Sequence, residues 1–203
     1  MNRIVLASSN AGKLREFQQL LAAQGFAVVP QSALDVTDAK EPHATFIENA
    51  LAKARHASAH TGLPAFADDS GIVVDALAGE PGVHSARFAG EPRSDARNNA
   101  KLVESLRPHR DRRAHYYCVI VMLRHAADPE PLIADGRWHG EVIDSPRGAG
   151  GFGYDPYFLL PHLGRTAAEL DANDKNRISH RGIAVRRLIE LLRGITPEAS
   201  ADS

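Results

Sequence analysis

The strongest strand candidate, residues 115–125, and the segment 131–143 that should pair with it flank the turn-rich Ala126-Ala127-Asp128-Pro129, and this pairing constrains the fold more than any other stretch. Runs rich in Tyr, Val, Ile and Leu, separated by Asp and Pro, read as an antiparallel hairpin. Around it the pattern alternates between strand and helix. Residues 3–8 are a continuous apolar run ended by polar residues, as a short buried strand requires. Leu14, Phe17, Leu20 and Leu21 then recur at helical spacing, with Ser9 or Asn10 as the cap and Gly25 beyond the end. A second helix is predicted over 44–60. Its capping box is Thr45 with Glu48, its shared face Ile47, Leu51 and Ala54, and its end Gly62-Leu63-Pro64. A third fits 94–107, before Pro108.

Residues 64–75 read as two short strands around a carboxylate-bearing turn, Asp68-Asp69-Ser70-Gly71. A Gly-rich stretch, 147–153, leads into a predicted strand over 154–160. A short helix near 166–172 precedes a C-terminal helix over 180–193, expected to bury Ala184, Leu188 and Leu191 and to stop at Gly194. A hairpin set among alternating strands and helices predicts an α/β fold, with a mixed central sheet flanked by helices. There is no internal repeat and no Ser/Gly linker, so residues 1–196 are expected to form one domain and 197–203 a disordered tail.

The 203 residues suffice to bury roughly 70% of the unfolded surface. Lys plus Arg number 24 against 25 Asp plus Glu, a formal net charge of −1. That balance argues against a nucleic-acid-coating protein, which needs clustered excess cations. The lone cysteine, Cys118, lies in an apolar run and is expected to be a buried small side chain in a reducing compartment. No segment has the roughly 18 apolar residues of a membrane span, and the N-terminal apolar stretch is too short for a signal-peptide core. No membrane partner is expected, and the cytoplasm is the expected location.

Four clusters carry chemistry. In the first, a strand turns through Ser8-Ser9-Asn10-Ala11-Gly12-Lys13 into a helix, presenting N–H groups suited to an anion. A Walker P-loop is ruled out, because Ala7 stands at the first Gly position and Leu14 at the Ser/Thr position. An ordinary strand–helix junction stays open. In the second, Asp68 and Asp69 offer a hard-cation site or a plain solvated turn, with Glu41 and Lys53 as candidate neighbours. The third, Gly148 to Gly153, matches GxGxxG but runs into Tyr154-Asp155-Pro156, not a helix, which excludes a dinucleotide fingerprint. A Gly loop placing Phe152 and Tyr154 against a flat ligand fits better; a tight turn between strands is the alternative. In the fourth, Ser179 caps a helix whose first turn holds His180 and Arg181, cations or donors at the positive end. His56 and His60 lack the glutamate of a zinc HExxH motif, and no GxSxG elbow exists.

These clusters, with Thr45-Phe46-Ile47-Glu48-Asn49-Ala50 and Lys53 between the first and second, occur in the order of one family. The chain resembles the inosine/xanthosine triphosphate pyrophosphatases over residues 3–193. The resemblance implies a homodimeric α/β protein whose long mixed sheet carries two lobes with the active site in the cleft between them. It implies Mg²⁺-dependent hydrolysis of ITP, dITP and XTP to the monophosphate and pyrophosphate. By position, Ser8, Ser9, Asn10, Ala11, Gly12 and Lys13 would cradle the triphosphate, and Lys53 would join Lys13 in neutralising it. Asp69 would be the base or metal ligand, with Glu41 as second ligand and Asp68 in support. Ser70, Phe152, Gly153, Tyr154, Asp155, Lys175, His180 and Arg181 would hold the nucleotide and its base. The chain departs from the family at Ser8-Ser9, where many members have Thr-Gly, and at Lys40, where some carry a second acid beside Glu41. A Maf-type pyrophosphatase acting on pyrimidine nucleotides and a non-catalytic nucleotide-binding regulator are the alternatives. The Ser179-His180-Arg181 helix start speaks against the first, and Asp69 with Lys53 against the second.

Overall fold

The computed structural model describes residues 3–22 and 25–195; the tail at 197–203 lies outside them. The predicted hairpin forms from β4 (Arg113–Leu123) and β5 (Leu132–Val142), paired antiparallel from Arg113 opposite Glu141 to Met122 opposite Leu132. On the other side of β4 runs β3 (Ala65–Val74), also antiparallel. β1 (Arg3–Leu6) lies parallel to β3 and to β2 (Ala27–Pro30), an edge strand without a counterpart among the sequence expectations. β6 (Phe158–Leu160) and β7 (Arg165–Thr166) complete the sheet in the order β2-β1-β3-β4-β5-β6-β7. The sheet is mixed, as expected.

Five helices of the described residues pack on this sheet: α1 (Ala11–Ala22), α2 (Phe46–Thr61), α3 (Asp95–Leu106), α4 (Ala172–Ile178) and α5 (His180–Ile195). α2 starts at the anticipated capping box, where Thr45 accepts from the Glu48 N–H, and ends at Gly62, whose φ of 66° a side chain would resist. Along β3 the period of two sorts side chains by face. Phe66 joins Phe17, Leu21, Ile120, Val185 and Leu188 under α1 and α5. Ala65 and Ala67 join Val5, Ala54 and Ala57 under α2. Further along the same strands, Ile72 and Val74 pack with Leu102, Leu106, Trp138 and Phe158 into a third cluster. The long strands thus carry two clusters on opposite faces toward one end and one toward the other. No helix of the described residues is long and apolar enough to cross a membrane.

Five local expectations are corrected. Residues 65–74 are one continuous strand and not two strands around a turn, because β4 pairs with every residue through Asp68, Asp69 and Ser70. The predicted strand over 154–160 is a 3-10 turn at Asp155–Tyr157 followed by three strand residues, since Pro156 lacks the N–H of a ladder. The helix near 166–172 is a 3-10 turn at Ala167–Glu169, and the helix proper, α4, begins at Ala172 behind the Asp171 cap. Leu191 is 40% exposed, because the packed stripe of α5 runs through Ala184, Val185, Leu188 and Ile189; α5 also continues past Gly194 to Ile195. Cys118 is buried, as expected.

The strap Gly82–Arg87, a 3-10 segment, lies across β3 at Gly71. A Cβ at Gly71 would fall well inside van der Waals contact with Ser85 Oγ and with the Gly82 carbonyl. Gly71→Ala is therefore expected to cost about 1–3 kcal/mol, read as a lower denaturation midpoint at unchanged m-value.

Candidate active site

The alternation of β3 separates its two adjacent carboxylates. Asp68 faces α1 and α5. Its Oδ2 accepts from Lys13 Nζ at 2.9 Å, Ser70 Oγ at 3.0 Å and Arg181 Nη2 at 3.4 Å. Full burial opposes its ionisation, yet Lys13 and Arg181 hold its carboxyl far below the usual aspartate range. Asp69 faces α2. There Asn49 and Lys53, one helical turn apart, both reach it: Asn49 Nδ2 at 3.3 Å from Oδ2 and Lys53 Nζ at 3.5 Å from Oδ1. Lys53 is also 2.7 Å from Glu41 Oε1, and Arg87 Nη1 is 3.7 Å from the other Glu41 oxygen. Burial raises the Asp69 pKa, and the opposing pull of Lys53 and Lys13 does not restore it while Glu41 and Asp68 add repulsion. Burial likewise opposes the charge on Glu41, but Lys53 brings its carboxyl below the ordinary value.

Among the described residues no group of three or more His, Cys, Asp or Glu converges on one point. Glu41 and Asp69 offer two carboxylates around a shared lysine. That donor set suits a hard cation that keeps water and phosphate among its ligands. The incompletely compensated Asp69 charge also favours a cation there.

The loop before α1 is self-capped. The Asn10 side chain accepts from the Lys13 N–H, and Ser8 Oγ from the Asn10 N–H. Among the described residues no protein acceptor takes the Ala11 or Gly12 N–H, so both stand at the positive helix end. Ser9 Oγ donates to Asp38, which also holds Gln31.

Further along the cleft, Phe152 lies so close to Gly12 that a Cβ there would sit 2.9 Å from its ring, with Lys175 Nζ 4.8 Å from the ring centroid on the same aromatic. Asp155 anchors this loop, accepting from Lys175 Nζ at 2.7 Å, the Phe152 N–H at 2.9 Å and Tyr116 Oη at 3.2 Å. His180 stacks on Tyr116 at 4.7 Å and 10°. Burial, then Arg181 and Lys175, depress its pKa, so its imidazole is neutral at pH 7. His180 Nδ1 and Arg181 Nε are buried with no protein hydrogen-bond partner.

Most of these groups line a single cleft of about 560 Å³, with Asp68 and Asn49 buried outside its lining. The sequence-predicted residues Ser8, Ser9, Asn10, Lys13, Glu41, Lys53, Asp69, Ser70, Phe152 to Asp155, Lys175, His180 and Arg181 face it; Ala11 and Gly12 stand just behind. Several participants were given no role from sequence, Tyr116 and Asp38 among them. Glu16 pairs with both Arg181 and Lys175, Arg87 with Glu41, and Asn49 with Asp69. Only Asn49 left a signal, as a polar residue one turn from Lys53 on the inner face of α2.

The sequence matches the Ham1 family over residues 4–191. It is 67% identical over 192 residues to a dITP/XTP pyrophosphatase of Nitrosomonas europaea, covering 95% of each chain. A dITP/XTP pyrophosphatase of Ralstonia nicotianae is 64% identical over 196 residues, covering 95% of this chain and 98% of that one. Among solved structures, a HAM1 protein from Coxiella burnetii superposes with a TM-score of 0.89 at 48% identity, covering 96% of this chain and 100% of that one. The Ham1 protein of Staphylococcus aureus gives a TM-score of 0.85 at 41% identity, covering 95% and 99% respectively.

Proposed function

The chain belongs to the Ham1 family, and from that membership we propose that it hydrolyses dITP, XTP and ITP to the monophosphate and pyrophosphate, using Mg²⁺, as a cytoplasmic homodimer that clears deaminated purines. The dimer rests on the family resemblance, and the location is the one expected from the sequence above. The observation that carries the activity is the coexistence, in one cleft, of the Glu41–Lys53–Asp69 array and two buried nitrogens without protein partners, His180 Nδ1 and Arg181 Nε.

Each part has a task in that reaction. The α1 N-terminus, Lys13 and Lys53 neutralise a triphosphate chain. Glu41 and Asp69 would hold magnesium, which when bound supplies positive charge to the departing pyrophosphate. Asp69 is the carboxylate placed to orient a water and take its proton. The water oxygen bonds to the α-phosphorus as the α–β anhydride bond breaks, and pyrophosphate leaves with the bonding pair. Phe152 offers a flat face to the base. A 6-keto purine gives the Arg181 Nε–H an acceptor, whereas the 6-amino group of adenine would leave it unpaired.

A nucleotide panel tests this. With Mg²⁺, pyrophosphate release from dITP, ITP and XTP is expected to exceed that from ATP by about 10² or more in kcat/KM. Equal turnover of ATP, or none of the three purines, would refute the assignment. Preferred turnover of UTP or dTTP would favour the Maf-type alternative.

A further inference from the structure

The first two turns of α3 make a set of contacts that the chemistry above does not use. Asp95 Oδ2 accepts from the Gly153 N–H at 2.8 Å, and Asn99 Nδ2 donates to the Gly153 carbonyl at 2.9 Å. One glycine in the Phe152–Asp155 loop is thus held by both its polar backbone atoms, from one helix face. The neighbouring residue points elsewhere. Asn98 Oδ1 accepts from the Ala89 N–H at 2.8 Å and its Nδ2 donates to the Ala86 carbonyl at 3.1 Å. Those two peptides bracket Arg87, the residue 3.7 Å from Glu41.

Both asparagines are buried, Asn98 at 2% and Asn99 at 6% exposure. A buried side-chain amide in a helix interior lowers propensity and costs desolvation unless its bonds are made. Asn99 even leaves its own Oδ1 without a partner, so it is a poor choice for stability alone. Core stability would be served by a leucine, as at Leu102 and Leu106 on the same helix. What the two amides do supply is geometry, at two loops far apart in sequence.

We propose that Asp95 and Asn99 are positioning residues for the base-contacting loop through Gly153, and that Asn98 is the positioning residue for the Arg87 strap at the Glu41 end. The α3 N-terminal half then sets both ends of the cleft through separate side chains. The kinetic part of this inference rests on the nucleotide pyrophosphatase activity proposed above; the structural part does not.

The two parts are read separately. Amide hydrogen exchange on the substrate-free protein comes first. Asn99→Leu and Asp95→Ala are expected to speed exchange at Gly153 and leave Ala89 unchanged, and Asn98→Ala to do the reverse. Kinetics follow, with dITP as substrate and inorganic tripolyphosphate as a competitor that occupies the phosphate end alone. Asn99→Leu is expected to raise KM for dITP about tenfold with kcat within twofold and an unchanged tripolyphosphate Ki. Asn98→Ala is expected to lower kcat about tenfold and to weaken tripolyphosphate inhibition severalfold.

Equal losses of both kinds in both variants, or wild-type kinetics in both, would overturn the division of labour. Wild-type exchange at Gly153 and Ala89 would overturn the contacts themselves. If wild-type protein does not turn over dITP, the substrate assignment fails while the exchange result still decides the positioning. Should Asn98→Ala not fold, Asn98→Asp keeps the acceptor for Ala89 and loses only the donor to Ala86. It is expected to show the same kinetic signature at smaller size, and wild-type kcat and Ki there would count against the proposal.

Discussion

Replacing Asp69 with asparagine is expected to abolish turnover, lowering kcat by about 10³ or more, while leaving the fold as stable as before or more stable. The activity loss follows from the loss of a proton acceptor and of one of two carboxylates at the Lys53 array. The stability result follows from the environment of the same group. Asp69 is buried, its lysine is 3.5 Å away and held more closely by Glu41, and its pKa is raised. A raised carboxyl pKa means that the folded state disfavours the charge, so ionised Asp69 subtracts from stability at neutral pH. A neutral isostere removes that cost and keeps an oxygen for Asn49. Thermal unfolding at pH 7 beside a pyrophosphate-release assay checks both halves. An inactive variant with a strongly lowered Tm would mean that activity was lost through the fold, and a variant with full activity would remove Asp69 from the chemistry. A third readout is metal: Mn²⁺ bound by the substrate-free variant, followed by its paramagnetic signal, is expected to weaken.

The hairpin and the caps of α1, α2 and α5 were legible in the residues, because each rests on local pattern. The Asp68-Asp69-Ser70-Gly71 segment was not, because its composition is that of a turn and only the β4 partner strand reveals it as mid-strand. With that partner, alternation gives the two aspartates different neighbours, which no reading of adjacent letters supplies. Glu16 and the α3 amides were silent for a related reason. Their partners lie far along the chain, at Lys175 and Arg181 for Glu16, and at Gly153 and Ala86 for the asparagines. The near-zero net charge also acquires a structural meaning. Lys13 with Asp68, Lys53 with Asp69 and Glu41, Lys175 with Asp155 and Arg181 with Glu16 are opposite charges paired in and behind one cleft. They cancel in the total, so a balanced composition conceals a locally charged site.

Asparagine at the neighbouring position, Asp68→Asn, is expected to do the opposite to stability, costing about 3 kcal/mol or more at pH 7. Asp68 is fully buried and is the charge partner of Lys13 and Arg181, the latter 2% exposed. Removing its charge leaves two cations sharing the buried region with only Glu16 opposite Arg181. The pH dependence carries the sign. Because the folded-state pKa of Asp68 is depressed, its contribution is complete well above its ordinary value and is lost as the pH falls below about 4. The gap between wild type and Asp68→Asn should therefore be widest near neutrality and begin to narrow below about pH 4. Urea unfolding of both proteins from pH 7 down to pH 3 measures this. A gap that stays constant with pH would mean that the loss arises from packing and not from charge. Pairing Asp68→Asn with Lys13→Met completes the test. If the cost is an orphaned cation, the double variant should recover about 1–3 kcal/mol of it. Simple additivity would place the destabilisation elsewhere. Opposite stability signs at adjacent positions, one carboxylate restraining the fold and the next holding it, are what a strand that turns one acid into the cleft and the other toward its own lysine and arginine produces.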